Sequence, residues 1–104
     1  MLNHIGDQNF NNEVLNRKGV VVVDFYATWC APCKMLSPVL EELQGELTEA
    51  KIFKIDVDKN PEVSNKYGIQ SIPTIMIFKD GAEIDKKVGF TPKDTLREAI
   101  EEVL

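Results

Sequence analysis

The chain has 104 residues, 43% of them hydrophobic and 28% charged, with a formal net charge of −5. That length points to a single domain spanning residues 1–104, with a core of its own. The acidic balance leaves no basic stripe for nucleic acid, and no apolar run approaches the ~20 residues of a membrane span.

Met1-Leu2-Asn3-His4 has neither a charged n-region nor an apolar h-region, so no signal peptide is expected. Leu2 to Ile5 is a candidate strand. Asp7 to Asn9 offers capping side chains for a short helix carrying the i, i+4 pair Phe10 and Val14, and Gly19 ends it. Val20 to Tyr26 is a run of β-branched and aromatic residues, the composition of a strand buried on both faces. A long helix follows from Ala31 to about Glu49, with apolar residues at Leu36, Val39, Leu40, Leu43 and Leu47. Pro38 removes one backbone donor within it and should bend it. Lys51 to Val57 alternates as a strand. Asn60-Pro61 reads as a cap with proline at the first helical position, which predicts a helix over Pro61–Tyr67 stopped by Gly68. Thr74 to Phe78 is an apolar strand, Asp80-Gly81 signals a hairpin, and Ala82 to Val88 is the returning strand. Thr91-Pro92-Lys93-Asp94 has the form of a capping box with proline at the first helical position, and Leu96, Ala99, Ile100, Val103 and Leu104 mark the stripe of a last helix. Strands alternating with helices imply an α/β fold with a mostly parallel sheet covered on both faces.

The only two cysteines, Cys30 and Cys33, fall where the long helix begins. Three-residue spacing there places the sulfurs close enough to close a small disulfide ring. The unpaired N–H groups of the first turn and the helix dipole favour a thiolate at Cys30. Cys33 lies a turn deeper, so Cys30 is expected to attack and Cys33 to resolve. Two plainer readings compete. Half a zinc site would need further ligands, and the only histidine, His4, is distant in sequence and reads as an ordinary solvated side chain. A structural disulfide this short would constrain the unfolded chain little. The chain also reads as cytosolic, where disulfides are normally transient and catalytic.

Asp24 interrupts the apolar strand on the same side as Val20 and Val22. Burial without a partner should raise its pKa, which suits a group that moves the Cys33 proton; the alternative is a carboxylate that caps the next helix. Trp29, beside the reactive thiol, is expected to shield the site and offer an apolar contact. Gly89 lacks a side chain, which leaves room for a partner backbone to approach.

Val23-Asp24-Phe25-Tyr26-Ala27 followed by Trp29-Cys30-Ala31-Pro32-Cys33 resembles the active site of the thioredoxin family. The resemblance continues through Pro38, Lys54, Asp58-Lys59-Asn60-Pro61, Ser71-Ile72-Pro73-Thr74, Asp80-Gly81 and Lys87-Val88-Gly89, covering essentially the whole chain. It implies the thioredoxin fold, a five-stranded mixed sheet in order 1-3-2-4-5 with two helices on each face. It implies a thiol–disulfide oxidoreductase that reduces protein disulfides, with Lys54 near Asp24 as its modulator. It also implies a cis bond before Pro73 facing the cysteines, with the backbone of Ile72 pairing with substrate. Trp29, Ala31, Pro32, Ile72, Pro73 and Gly89 become the substrate-facing set. The implied electron donor is a thioredoxin reductase. The chain is expected to be a cytoplasmic monomer without a cofactor beyond its own disulfide, since it has no Gly-rich dinucleotide motif. Two departures stand out. Ala31 replaces the glycine most common between the first cysteine and the proline, and is expected to shift the redox potential slightly. Tyr26 stands where tryptophan is common. The rival functions are a disulfide oxidase or isomerase on the same fold, and a binding module indifferent to redox state.

Overall fold

The computed structural model describes residues 2–104. Its elements are β1 (Asn3–His4), α1 (Asn11–Leu15), β2 (Val20–Tyr26), α2 (Ala31–Glu46), β3 (Ala50–Asp56), α3 (Pro61–Lys66), β4 (Thr74–Lys79), β5 (Ala82–Val88) and α4 (Lys93–Glu101). The strands form one five-stranded sheet in the order β1-β3-β2-β4-β5. β1 and β2 run parallel to β3, whereas β4 runs antiparallel to β2 and to β5. This is the mixed α/β architecture and the strand order that the resemblance implied.

β2 lies at the centre, which is why the run Val20–Phe25 is buried along its whole length. Alternate residues enter opposite layers. Val20 and Val22 pack with Leu36, Leu40 and Leu43 of α2 and with Leu96 and Ile100 of α4. Val21, Val23 and Phe25 pack with Phe10, with Val14 of α1 and with Val63 of α3. Two helices therefore cover each face. Asp24 shares the α2 side with Val20 and Val22, at the end of the strand from which the Cys30 loop departs.

The β4–β5 hairpin turns as its sequence demands. Asp80 and Gly81 both have positive φ, at 49° and 85°, the geometry of a two-residue hairpin loop that matches strand twist. Gly81 is doubly required, because a Cβ there would collide with the Leu15 carbonyl. The turn is tied to the start of β2 by a reciprocal pair: Gly19 N–H donates to Asp80 Oδ1 at 2.7 Å, and Asp80 N–H donates to the Gly19 carbonyl at 3.0 Å.

Several local expectations are corrected. α2 stops at Glu46, not Glu49, because Leu47 leaves helical geometry at ψ 71°. The capping box at Thr91 does not form: Pro92 occupies the N-cap position rather than the first helical one, and the Thr91 hydroxyl donates back to the Gly89 carbonyl. Leu104 falls beyond α4 and is exposed, so it is not part of the stripe. α1 is a single turn with an i→i+5 bond from Asn16 N–H to the Asn11 carbonyl at 2.8 Å, and it lacks a side-chain cap. Asp7 instead caps α3, accepting from Val63 N–H at 2.9 Å and Glu62 N–H at 3.2 Å. Asn60 is the N-cap residue of α3 without capping it; its side chain accepts from Asp7 N–H and donates to the Asp56 carbonyl.

Candidate active site

Cys30 is the N-cap residue of α2, with extended backbone at φ −90° and ψ 112°. Pro32 lies within the first turn, where a missing N–H costs nothing. Cys30 and Cys33 are joined by a disulfide, with their Cα atoms 5.3 Å apart. Burial barely separates them, at 4% and 2% exposure, so the expected difference in depth is small. What separates them is polarity. Cys33 N–H donates to Cys30 Sγ at 3.2 Å, so the helix N-terminus is aimed at the first sulfur. Charge developing on Cys30 Sγ is thereby stabilised, as the sequence predicts for the attacking thiolate.

The pair packs on Ala27, with Tyr26, Val57 and Ile72 around it. The Ile72–Pro73 peptide bond is cis, and the Ile72 carbonyl oxygen lies 3.8 Å from Cys30 Sγ. Gly89 N–H donates to the Pro73 carbonyl at 2.7 Å, which ties the end of β5 to this loop. Gly89 has φ +89°, and a Cβ there would meet nothing within 4 Å. Its glycine is thus required by backbone conformation, while the space above it is open to a partner.

Trp29 is 69% exposed, and its indole N–H donates to Asp58 Oδ2 at 2.8 Å. The ring is pinned at the surface rather than buried as core. Met35, Val88 and Phe90 are also exposed. Val88 pairs with Thr74, the residue after Pro73, and Phe90 follows Gly89. Exposed apolar side chains therefore flank Gly89 on both sides. The adjacency of Val88 and Phe90 to Gly89 was the available signal.

Asp24 is 0% exposed. Burial pushes its carboxyl up from the ordinary 3.8 to about 7, and the positive charge of Lys54 opposes that rise. Among the described residues, neither carboxyl oxygen has a hydrogen-bond partner, so the reading of Asp24 as a helix cap is excluded. Lys54 is its register partner on β3, as the resemblance implied. The Lys54 ammonium does not reach the carboxylate, however. Its Nζ donates to Ser37 Oγ at 3.1 Å and stands 4.4 Å from the centroid of the Tyr26 ring. The Tyr26 hydroxyl is hydrogen-bonded to His4 Nδ1 at 3.1 Å, so His4 is not merely solvated. Burial, and behind it the negative charges of Asp56 and Asp24, push the Tyr26 phenol above its usual range. Tyr26, Cys33, Ser37 and Lys54 line a cleft of about 300 Å³. Ser37 was not singled out from the sequence, although it stands four residues after Cys33 on one helix face.

The thioredoxin family model matches residues 1–102. The chain belongs to the thioredoxin family. It is 52% identical to a thioredoxin of Staphylococcus saprophyticus over 101 residues, covering 96% of this chain and 95% of that protein. Thioredoxins of Staphylococcus haemolyticus and Staphylococcus aureus are each 50% identical over the same shares of both chains. A thioredoxin-family chain with its Cys30–Cys33 disulfide at a helix N-terminus is a thiol–disulfide oxidoreductase. Thioredoxins carry no cofactor beyond this disulfide; among the described residues, no group of three or more His, Cys, Asp or Glu is placed to hold a metal ion. Among the same residues, no helix is long and apolar enough to cross a membrane.

Proposed function

We propose that this thioredoxin-family chain is a general protein disulfide reductase, acting as a single-domain monomer in the cytoplasm. The observation that carries the proposal is the Cys33 N–H directed at Cys30 Sγ. In the reduced enzyme, the Cys30 thiolate attacks one sulfur of a substrate disulfide. A mixed disulfide forms, and the other substrate sulfur leaves as a thiolate that takes up a proton. The Cys33 thiol then passes its proton to the Asp24 carboxylate and attacks Cys30 Sγ. The bond between Cys30 and the substrate breaks, the Cys30–Cys33 disulfide forms, and the second substrate thiolate departs and is protonated. Two electrons have moved from the cysteine pair to the substrate. A thioredoxin reductase returns them.

In this account Lys54 tunes Asp24 through its charge. The backbone of Ile72, beside Pro73 and close to Cys30 Sγ, pairs with an extended substrate segment. Trp29, Ala31, Pro32 and the open space over Gly89 receive its side chains. No cation lies between the cysteines to over-stabilise the reduced thiolate, which favours reductase over oxidase.

Trapping tests the assignment. Cys33→Ser should accumulate a mixed disulfide with a protein substrate through Cys30, and Cys30→Ser should form none. An adduct on Cys33 of the Cys30→Ser protein, with none on Cys30 of the Cys33→Ser protein, would reverse the roles.

A further inference from the structure

The unpaired state of Asp24 requires an explanation. A lysine directly opposite it in strand register would ordinarily bend its ammonium onto a buried carboxylate, since an opposite charge in contact lowers a carboxyl pKa by about 1–3 units. Here the ammonium is engaged elsewhere. Ser37 Oγ accepts from it at 3.1 Å, and the face of the Tyr26 ring holds it from another side at 4.4 Å. Tyr26 is itself fixed by the hydrogen bond to His4. Both Asp24 oxygens are left without a partner.

We propose that Ser37 is a positioning residue: with the Tyr26 ring it diverts the Lys54 ammonium from Asp24, leaving both carboxyl oxygens without an ion-pair partner. Ion pairing would make Asp24 a weak base; diversion leaves it desolvated and basic, with its lone pairs unoccupied. The cation remains near enough to moderate the carboxyl without capturing it. The inference deepens the proposed role of Asp24 as acceptor of the Cys33 proton, and rests on it only for the kinetic consequence.

The ionisable groups around this pair come from each neighbouring element. β2 contributes Tyr26, and β3 contributes Lys54 and Asp56. Cys33 and Lys34 of α2 line the cleft beside Lys54. His4 of β1 and Glu41 of α2 line a second hollow that shares Ser37 and Lys54 with the first. On the other side of Asp24, its register partner on β4 is the apolar Ile75. Ser37 thus stands between two openings, and its hydroxyl accepts from the ammonium there.

The test is titration of the Asp24 carboxyl carbon by NMR in the oxidised protein, where neither cysteine titrates. Ser37→Ala favours helix and should fold. It should lower the Asp24 midpoint by about 0.3–1 pH unit, because a released Lys54 pairs with the carboxylate. Ser37→Thr, which keeps the hydroxyl, should restore the midpoint. In a Lys54→Met background, Ser37→Ala should leave it unmoved. An unchanged or raised midpoint in Ser37→Ala, or an equal fall in the Lys54→Met background, would overturn the proposal. The pH profile of substrate release from the mixed disulfide provides a separate readout. A midpoint that falls while the release profile stays put upholds the Ser37 diversion and instead removes Asp24 as the proton acceptor.

Discussion

Replacing Asp24 by asparagine should stabilise the protein at neutral pH while slowing its chemistry. In the fold the carboxyl titrates at about 7 against an ordinary 3.8. Between those two values the folded state binds more protons than the unfolded state, so stability falls as pH rises. Below the lower value the penalty is absent; above the upper value it is complete. At 1.36 kcal/mol per pH unit, the gap from 3.8 to about 7 corresponds to a ceiling of about 4 kcal/mol. The asparagine amide is also buried without a partner and returns part of that gain, leaving a net stabilisation of about 1–3 kcal/mol at pH 8. Guanidinium unfolding of both oxidised proteins at pH 4, 6 and 8 measures the difference, and comparison at each pH cancels the other titrating groups. The balance should move toward Asp24→Asn as pH rises: at pH 4, where the carboxylate penalty is nearly absent, the buried amide leaves the variant the less stable of the two, and through pH 6 to pH 8 it becomes the more stable. Single-turnover reduction should show release of the mixed disulfide slowed, with the first attack by Cys30 less affected. A stability difference independent of pH, or a variant less stable at pH 8 and equally fast, would refute the desolvated-carboxylate account.

Two other outcomes follow from the same contacts. Lys54→Met removes the one positive charge that opposes the burial of Asp24, so the Asp24 midpoint should rise above about 7, opposite in sign to Ser37→Ala; carboxyl titration by NMR reads both. Asp7→Ala removes the acceptor for two N–H groups of α3 and should cost about 0.5–2 kcal/mol in denaturant unfolding, whereas Asp7→Asn, which keeps an acceptor oxygen, should lose less.

Features set by short-range chemistry were legible in the chain. The β-branched run of β2 is buried on both faces because it is the central strand, and Asp80-Gly81 takes positive φ at both positions because few other pairs can. Asp24 stood out because a carboxylate in an apolar strand has no cheap place to go. Other features depend on partners distant in sequence. Asp7 caps a helix whose first N–H groups lie 55 and 56 residues away, although its local setting suggested a cap for α1. The Thr91 motif has the right letters for a capping box, but its hydroxyl found the Gly89 carbonyl instead. Lys54 was placed near Asp24 by resemblance alone, and its actual partners, Ser37 on α2 and the Tyr26 ring on β2, converge only when α2 packs over the sheet. The placing of exposed Val88 and Phe90 near the Pro73 loop likewise depended on the tie between Gly89 and Pro73.

The central claim is that Cys30 and Cys33 form a reducing pair. Its most direct test is the equilibrium redox potential of the purified protein in glutathione buffers. With no cation between the cysteines, the potential should lie near about −270 mV, the general figure for thioredoxins rather than one obtained from this site. A value near about −120 mV, that of a strong disulfide oxidant, would contradict the reductase assignment.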